Sequence, residues 1–259
     1  MMDDIGWFIG MTLGDGSLSG RMVRVWNNDV TIVDKWKEIL KNQFNISDAS
    51  IKIRKLSKDR NGFKRNSDTT EATVNSSQFN NQIKELTKKL LETENKNLMC
   101  SILQGLFDAE GSINGRCEIV IWQRKDKQGN LVTEFIKKSL EFLDIKFRDE
   151  SNSKFNILLI LGGTRNKENF LKFSELIGFS NQNKNNWLEL DKEILQSNKK
   201  ITEEEVILFL KENGEVTIND FVKSFKVIET RIRKSLNQLV ERRVVNKIST
   251  WPRKFSLTN

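Results

Sequence analysis

Two carboxylates stand at equivalent places in a stretch of sequence that occurs twice. The stretch from Phe8 to Gly16 matches the stretch from Leu103 to Gly111, and Asp15 and Glu110 occupy the same position in each copy, 95 residues apart. Carboxylate oxygens are the donors that hard divalent cations such as Mg²⁺ and Ca²⁺ prefer. If the fold brings the two copies together, this pair of acids predicts a divalent metal site.

Small residues recur four positions apart in both copies, Gly10 with Gly14 and Gly105 with Ala109. In a helix this spacing puts both residues on one face, so each copy predicts a helix whose backbone can approach another helix closely. One such pattern is typical of an ordinary helix pair. Here it occurs twice and is followed each time by an acid and a glycine, which favours a functional site.

The glycines that follow the acids, Gly16 and Gly111, are interpreted as the left-handed residues that end the two helices. This interpretation puts Asp15 and Glu110 at helix C-termini, where the helix dipole disfavours a negative charge by a few tenths to about 1 kcal/mol. Two acids that meet there also repel each other. A bound cation removes both penalties, so Mg²⁺ or Ca²⁺ is the predicted ligand.

The charge balance points to a polyanionic partner. Lys and Arg exceed Asp and Glu by eight, and the isoelectric point is near 9.4, which favours nucleic acid and leaves a merely soluble basic protein as the alternative. The chain has no His and no Tyr, which excludes His general bases, His-metal nucleases and Tyr-dependent recombinases and topoisomerases. Cys100 and Cys117 are predicted to be reduced thiols, without a zinc cluster or a disulfide framework.

Nothing in the sequence predicts a membrane segment or a secretory signal. The N-terminus has no basic region before an apolar stretch, and the longest apolar run, 157–161, is far too short to span a bilayer. We therefore expect an intracellular protein, cytoplasmic or associated with the nucleoid, with no membrane partner.

Each copy of the motif is followed by a similar order of strands and helices. After the first we predict strands near 23–26, 51–54 and 69–74 and helices at 31–44 and 77–91. After the second we predict strands at 116–123, 145–148 and 155–161 and helices at 133–143 and 167–177. The predicted fold class is α+β, with two pseudo-symmetric αββαββα subdomains at 1–95 and 96–196 whose helices cover one sheet face.

The last sixty residues predict a separate small module. Helices are expected at 203–212, 217–225 and 229–243, followed by a hairpin of strands at 244–248 and 254–257. Three helices and a hairpin indicate a winged-helix module at 202–259, a relative of the helix-turn-helix, after a linker at 196–201.

The two nine-residue copies resemble the paired motifs of single-chain LAGLIDADG homing endonucleases, and the resemblance extends over residues 1 to about 195. It implies that Asp15 and Glu110 bind divalent metal, with the carbonyls of Gly14 and Ala109 as further contacts. Mg²⁺ is the implied cofactor, which Mn²⁺ can replace and whose site Ca²⁺ can occupy without cleavage. The implied fold is a saddle of two sheets on duplex DNA, and the implied reaction is a staggered cut of both strands by a monomer.

The resemblance also places polar or basic side chains beside the metals, at the end of the second strand after each motif. The matching positions are Asn27 and Asn28 in the first half and Gln123 and Arg124 in the second. Many active members carry Lys where this chain has Asn28. Cutting of a single strand is therefore an alternative outcome, unless Lys125 or Lys52 takes over that role.

Basic residues are predicted to form the DNA-facing surface. In the strand 51–54 isoleucines alternate with cations, which is typical of a sheet with one packed face and one basic, solvated face. Trp26 and Trp122 are also expected on outward strand positions. The predicted DNA contacts in the two subdomains are Arg24, Asn27, Lys52, Arg54, Lys55, Lys58, Arg60, Lys64, Arg65, Arg116 and Lys125. In the C-terminal module they are Arg231, Arg233 and Lys234, with Arg242, Arg243, Lys247, Arg253 and Lys254 nearby.

Two other functions fit the same pattern. Bacterial sporulation regulators join a LAGLIDADG fold to a helix-turn-helix and bind DNA without cutting it, although a scaffold kept for binding alone has no need of two acids at helix ends. An intron RNA maturase would use the same basic faces on RNA, and competition between duplex DNA and intron RNA would separate it.

Overall fold

Seven helices and strands recur in the same order in the first two thirds of the chain. In this computed structural model, which describes residues 2–56, 68–197, 199–248 and 252–258, the first set is α1 (Met2–Gly14), β1 (Gly16–Ser19), β2 (Met22–Asn27), α2 (Val30–Phe44), β3 (Ile51–Leu56), β4 (Thr69–Asn75) and α3 (Ser77–Leu91). The second is α4 (Lys96–Glu110), β5 (Gly111–Asn114), β6 (Glu118–Arg124), α5 (Lys127–Phe142), β7 (Phe147–Asp149), β8 (Phe155–Ile160) and α6 (Lys167–Leu176). The predicted α+β class and the repeated αββαββα order are confirmed.

Each repeat contributes one four-stranded sheet, and the two sheets have the same strand order, β1-β2-β4-β3 and β5-β6-β8-β7. β2 pairs antiparallel with β4 from Met22 opposite Asn75 to Asn27 opposite Thr70. Alternate residues of β2 are buried, because one face of the sheet packs on helices and the other does not. The residues that follow the buried positions therefore reach the uncovered face.

The close approach of α1 and α4 depends on the predicted small residues. A methyl group on Gly10 would lie 2.1 Å from the Ile102 carbonyl oxygen, and one on Gly105 would lie 2.2 Å from the Trp7 carbonyl oxygen. At these positions backbone meets backbone, so no side chain larger than hydrogen fits.

The interpretation of Gly16 and Gly111 as left-handed residues is wrong. Gly111 has φ −74 and ψ 148, which is extended backbone, and Gly16 is not among the residues with positive φ. Glycine is needed for space instead: an added Cβ would lie 2.4 Å from the Thr12 carbonyl oxygen at Gly16, and 2.4 Å from the Phe107 carbonyl oxygen at Gly111. The acids still come at the ends of their helices.

Two helices differ from the sequence prediction. α5 begins at Lys127 rather than at residue 133, because the Asp126 side chain caps it by accepting from the Gly129 amide at 2.8 Å. The helix α7 (Gln182–Ser197) was not predicted at all. The segment is mostly polar, so its few apolar residues do not show a clear helical period in the sequence. Leu188 and Ile194 are among the apolar residues that are buried.

The predicted alternation of β3 is only half right. Ile51 is 7% exposed, whereas Ile53 is 45% exposed beside the exposed Lys52 and Arg54. β3 is the edge strand of its sheet, and Ile51 is its only buried residue, so the strand is open on both faces over most of its length.

The described chain divides into two compact units. Unit 1 comprises Met1–Ser112, Val120–Ile160 and Lys172–Asn185, and unit 2 comprises Ile113–Ile119, Leu161–Leu171 and Asn186–Asn259. Unit 2 contains α8 (Glu203–Asn213), β9 (Val216–Thr217), α9 (Ile218–Phe225), α10 (Glu229–Glu241), β10 (Val245–Ile248) and β11 (Lys254–Leu257). The three helices and the hairpin match the sequence prediction, and the short strand β9 adds to the hairpin in the order β10-β11-β9.

Two helices of unit 2, α8 and α9, begin at side chains that bind free backbone amides. Thr202 and Glu205 form a capping box at the start of α8, and Thr217 and Asp220 form another at the start of α9. Among the residues that the structure describes, none of the helices has the length and apolar character needed to cross a membrane.

Candidate metal and nucleic-acid site at the paired helices

The crossing of α1 and α4 brings the two predicted acids to the same end of the helix pair. Asp15 directly follows α1, and Glu110 is the last residue of α4. A Cβ on Gly14 would lie 2.4 Å from the Ala109 Cβ and 3.3 Å from the Glu110 Cγ. The two carboxylates therefore lie close together where both helices end, as the sequence repeat predicts.

Asp15 is held by the end of β2. The Asn27 Nδ2 donates to the Asp15 Oδ2 at 2.7 Å, and the Trp26 amide donates to the Asp15 carbonyl at 2.9 Å. Burial raises the pKa of Asp15, while the Asn27 hydrogen bond and the positive charge of Lys184 act in the opposite direction. Asn27, predicted as a DNA contact, is buried and orients this carboxylate.

Glu110 is more strongly perturbed. Burial and then the negative charge of Asp15 raise the pKa of Glu110 to about 7, against the positive charges of Lys184 and Arg124. Its carboxylate lines a cavity of about 380 Å³ together with Gln123 and Arg124, two of the predicted site residues. The second half of the site thus combines the acid, an amide and a guanidinium.

Lys184, in the first turn of α7, is a site residue that the sequence did not indicate. Its ammonium donates to the carbonyl oxygens of Phe107 at 3.0 Å and Asp108 at 2.5 Å, and lies 3.4 Å from the carbonyl oxygen of Ala109. These are carbonyls at the end of α4, where the helix dipole attracts a cation. Burial lowers the pKa of Lys184, whereas the charges of Asp108, Asp15 and Glu110 raise it.

The same end of the helices offers oxygen donors of the kind that a divalent cation uses. Two carboxylates, Asp15 and Glu110, stand beside helix-end carbonyls that include the one of Ala109. No group of three His, Cys, Asp or Glu side chains suited to a metal exists among the described residues. A cation here would have to complete its shell with carbonyls, water or ligand oxygens, which is usual for Mg²⁺.

Asp108, next to the site, holds α7 in place. The carboxylate is 1% exposed and accepts from the Trp7 indole at 2.7 Å, the Ser180 amide at 2.9 Å and the Asn181 amide at 3.0 Å. The Asn181 Oδ1 in turn accepts from the Lys184 amide at 3.0 Å. These hydrogen bonds fix the start of α7, and they thereby place Lys184 at the end of α4.

Replacing Asp108 by Asn is expected to destabilise the protein by about 2–4 kcal/mol. An amide N–H would then face the N–H donors of Trp7, Ser180 and Asn181, which have no other acceptor among the described residues. Urea unfolding followed by tryptophan fluorescence measures the loss. Asp34→Asn, the same substitution at an exposed position of α2, is the control and should stay within about 0.5 kcal/mol of the parent. Equal stability of the two variants would contradict the role of Asp108.

The two halves of the site differ in the predicted polar positions. Asn28 is exposed and lines a second cavity, of about 540 Å³, with Asp15 and Lys184. At the equivalent place in the second half stands the exposed Arg124, while the Gln123 Nε2 is buried without a hydrogen-bond partner in the described part of the chain. Each acid therefore lines its own cavity. The positively charged side chain in the Asp15 cavity is Lys184, and the one in the Glu110 cavity is Arg124.

The predicted DNA contacts of unit 1 fall into three groups. Lys52, Arg54, Lys55 and Lys125 are exposed. Arg24 is half-buried, stacks 5.0 Å from the Trp26 ring and donates to the Ser19 hydroxyl. Lys58, Arg60, Lys64 and Arg65 lie outside the described residues.

In unit 2 the buried Glu229 joins two of the predicted arginines, Arg116 at 3.4 Å and Arg233. These two line a cleft of about 470 Å³ with Arg253 and the start of α9. The other two predicted contacts differ, since Arg231 donates to the Lys199 carbonyl at 2.7 Å and Lys234 is exposed. One carboxylate against three guanidinium groups leaves the cleft positively charged.

The paired helices, the repeated αββαββα order and the two antiparallel sheets define a LAGLIDADG fold. Solved structures with this fold include variants of the homing endonuclease I-DmoI, at TM-score 0.51 and 16% identity over 68% of this chain and 96% of that chain. I-DmoI in complex with DNA and Ca matches at TM-score 0.52 and 16% identity, over 68% of this chain and 89% of that one.

Full-length WhiA from Thermatoga maritima is similar over more of the sequence, 93% of this chain and 91% of that chain, at TM-score 0.52 and 16% identity. No family model matches the chain, and no curated protein matches it either. At these identities the likeness to I-DmoI and WhiA establishes the fold.

Proposed function

We propose that this protein is a metal-dependent DNA endonuclease that binds a long duplex site and hydrolyses phosphodiesters beside Asp15 and Glu110. The observation that carries the proposal is the pair of carboxylates at the crossing of α1 and α4, both with a raised pKa. Burial and repulsion oppose two such charges in a protein that only binds DNA. A bound divalent cation would offset both costs and would make the same arrangement a hydrolytic site.

The protein groups around the acids have complementary tasks in this proposal. When bound, a cation such as Mg²⁺ supplies the acidity that activates water and the charge that stabilises the phosphate. Asn27 fixes the orientation of Asp15 by its hydrogen bond. Arg124 and Lys184 place positive charge near the carboxylates, where a scissile phosphate would need it.

The two strands of DNA would meet unequal surroundings. Arg124 lies in the cavity with Glu110, whereas the amide of Asn28 takes the equivalent place near Asp15. We expect the strand in the Glu110 cavity to be cut faster, so that a nicked duplex accumulates before the staggered double-strand break.

Duplex DNA is the proposed partner of both units. The exposed cations of β3 offer phosphate contacts in unit 1, and the arginine cleft offers them in the proposed winged-helix module of unit 2. The DNA-bound structures of I-DmoI, which has the same fold, support this choice. We further propose that the protein acts as a monomer in the cytoplasm or nucleoid and serves the homing of an intron or a free-standing gene.

Cleavage of a randomised duplex library with Mg²⁺ tests the proposal. The parent protein and Asp34→Asn should produce defined cuts, whereas Asp15→Asn and Glu110→Gln should lose cleavage by about three orders of magnitude or more while DNA binding at fixed salt survives, since loss of a metal's contribution removes several kcal/mol from the barrier. In the same binding assay Arg253→Ala should weaken affinity without moving the cut.

A DNA-binding regulator is the second candidate, and two observations favour it. The likeness to WhiA extends over 93% of this chain and therefore reaches into unit 2. Lys184 also supplies a positive charge of the protein's own beside both acids. Tight, sequence-selective binding with no cut in Mg²⁺ or Mn²⁺ would overturn the endonuclease proposal and support this one.

A further inference from the structure

Two aromatic side chains are exposed in the cavity that contains Glu110. Trp122 on β6 is 43% exposed and Phe155 on β8 is 37% exposed. Their ring centroids are 6.2 Å apart and their planes are nearly perpendicular, at 80°. Both rings line the cavity of about 380 Å³ that also contains Arg124 and Gln123. The two rings give this otherwise polar cavity an apolar wall beside an acid and a guanidinium.

The first repeat has an aromatic residue at the matching place, but it is engaged within the protein. Trp26 directly precedes Asn27 as Trp122 precedes Gln123. The Trp26 indole donates to the Glu71 Oε2 at 2.7 Å, and the Arg24 guanidinium stacks on its ring at 5.0 Å. Trp26 is half-buried as a result. The exposure of Trp122 is therefore a property of the cavity beside Glu110 and is not imposed by the fold.

The cavity combines the groups that recognise one nucleotide. An aromatic face stacks on any base, and a guanidinium binds the adjoining phosphate. The Gln123 amide can add a hydrogen bond to a base edge after rotation, because its buried Nε2 has no hydrogen-bond partner among the described residues. Bases inside an intact duplex are stacked on each other and cannot reach such a platform.

We propose that the cavity beside Glu110 holds a nucleotide unstacked from the DNA, with its base against Trp122 and Phe155 and its phosphate at Arg124. This inference rests on the proposed function and specifies its substrate: DNA that is unpaired or easily opened beside Glu110. The protein would therefore prefer a duplex with a locally opened segment to the same duplex fully paired.

Equilibrium binding to a matched duplex and to the same duplex with an unpaired bubble tests this assignment, with Ca²⁺ as the only divalent cation and fixed salt. We expect the protein to bind the bubble about ten-fold more tightly than the matched duplex, because stacking of one base on an aromatic side chain contributes about that factor to affinity. Trp122→Ala and Phe155→Ala should abolish this preference and leave affinity for the matched duplex within about three-fold. Trp122→Phe should keep most of the preference, because the aromatic face remains.

Phe142→Ala is the matched control, since Phe142 is another exposed aromatic residue of unit 1, 56% exposed on α5. It should bind both DNAs as the parent does. A bubble preference that survives in Trp122→Ala, or disappears equally in Phe142→Ala, overturns the nucleotide assignment. Equal binding of both DNAs by the parent overturns this assignment alone, and no binding to either DNA overturns the proposed function with it.

Discussion

Replacing Gly105 by alanine should destabilise the protein by about 3 kcal/mol, the upper part of the range for overpacked sites. The new Cβ would lie 2.2 Å from the Trp7 carbonyl oxygen and 2.8 Å from the Met11 amide nitrogen, and both are backbone atoms of α1. Gly10→Ala should behave alike, because its Cβ would meet the Ile102 carbonyl oxygen at 2.1 Å. Urea unfolding, with the midpoint and slope both fitted, measures the effect.

Gly6→Ala provides the control on the same helix. Its Cβ would lie 2.9 Å from the Ser101 Cβ and Oγ, atoms of a small side chain rather than of the backbone. Alanine also stabilises a helix interior by about 1 kcal/mol relative to glycine, which offsets part of this crowding, so Gly6→Ala should cost clearly less than Gly105→Ala. That same gain applies at Gly105, so a loss there has to come from the helix contact. A stable Gly105→Ala variant would rule out the close crossing that brings Asp15 and Glu110 together.

The crossing was predictable because its determinants lie close together in the sequence. Small residues four apart and an acid after them are read from nine consecutive residues in each copy. The start of α3 was also predictable, since Ser76 caps this helix by accepting from the Phe79 amide at 3.2 Å, whereas the cap that Asp126 provides for α5 was missed. Local signals of this kind give the fold class, the repeat and the position of the acids.

Residues that act through distant contacts left no local signal. Lys184 reaches the end of α4 because Asp108, 72 and 73 residues away in sequence, binds the amides of Ser180 and Asn181. In a polar helix such as α7, one lysine resembles any other until the chain is folded. Gly16 illustrates a different limit, since glycine serves both left-handed backbone and close contacts, and the residue type alone does not distinguish them.

Glu110→Gln should make the metal-free protein more stable at about pH 8, by up to about 3 kcal/mol, since each unit of pKa shift corresponds to about 1.4 kcal/mol. The pKa of Glu110 is raised from its ordinary value of 4.5 to about 7. An acid with a raised folded-state pKa stabilises the protein below its unfolded-state pKa, and this stability is lost as the pH rises through the folded-state value. The parent should therefore lose stability between about pH 4.5 and 7, whereas Glu110→Gln should lack this part of the decline.

A second buried acid separates the effect of burial from that of a cation site. Asp191 of α7, in unit 2, is fully buried, and burial raises its pKa to about 8. The Cys117 thiol beside it acts in the opposite direction and lowers the pKa, but burial dominates. Asp191→Asn should therefore also stabilise the protein at about pH 8.

Mg²⁺ should distinguish the two variants, because Glu110 lines an open cavity and has the Asp15 carboxylate and helix-end carbonyls beside it, whereas Asp191 is fully buried. At about pH 8, Mg²⁺ should raise the thermal midpoint of the parent and of Asp191→Asn, since a ligand bound to the folded state stabilises it. It should not change that of Glu110→Gln. If Mg²⁺ stabilises all three proteins equally, the cation binds elsewhere, and the raised pKa of Glu110 reflects burial beside Asp15 and nothing more.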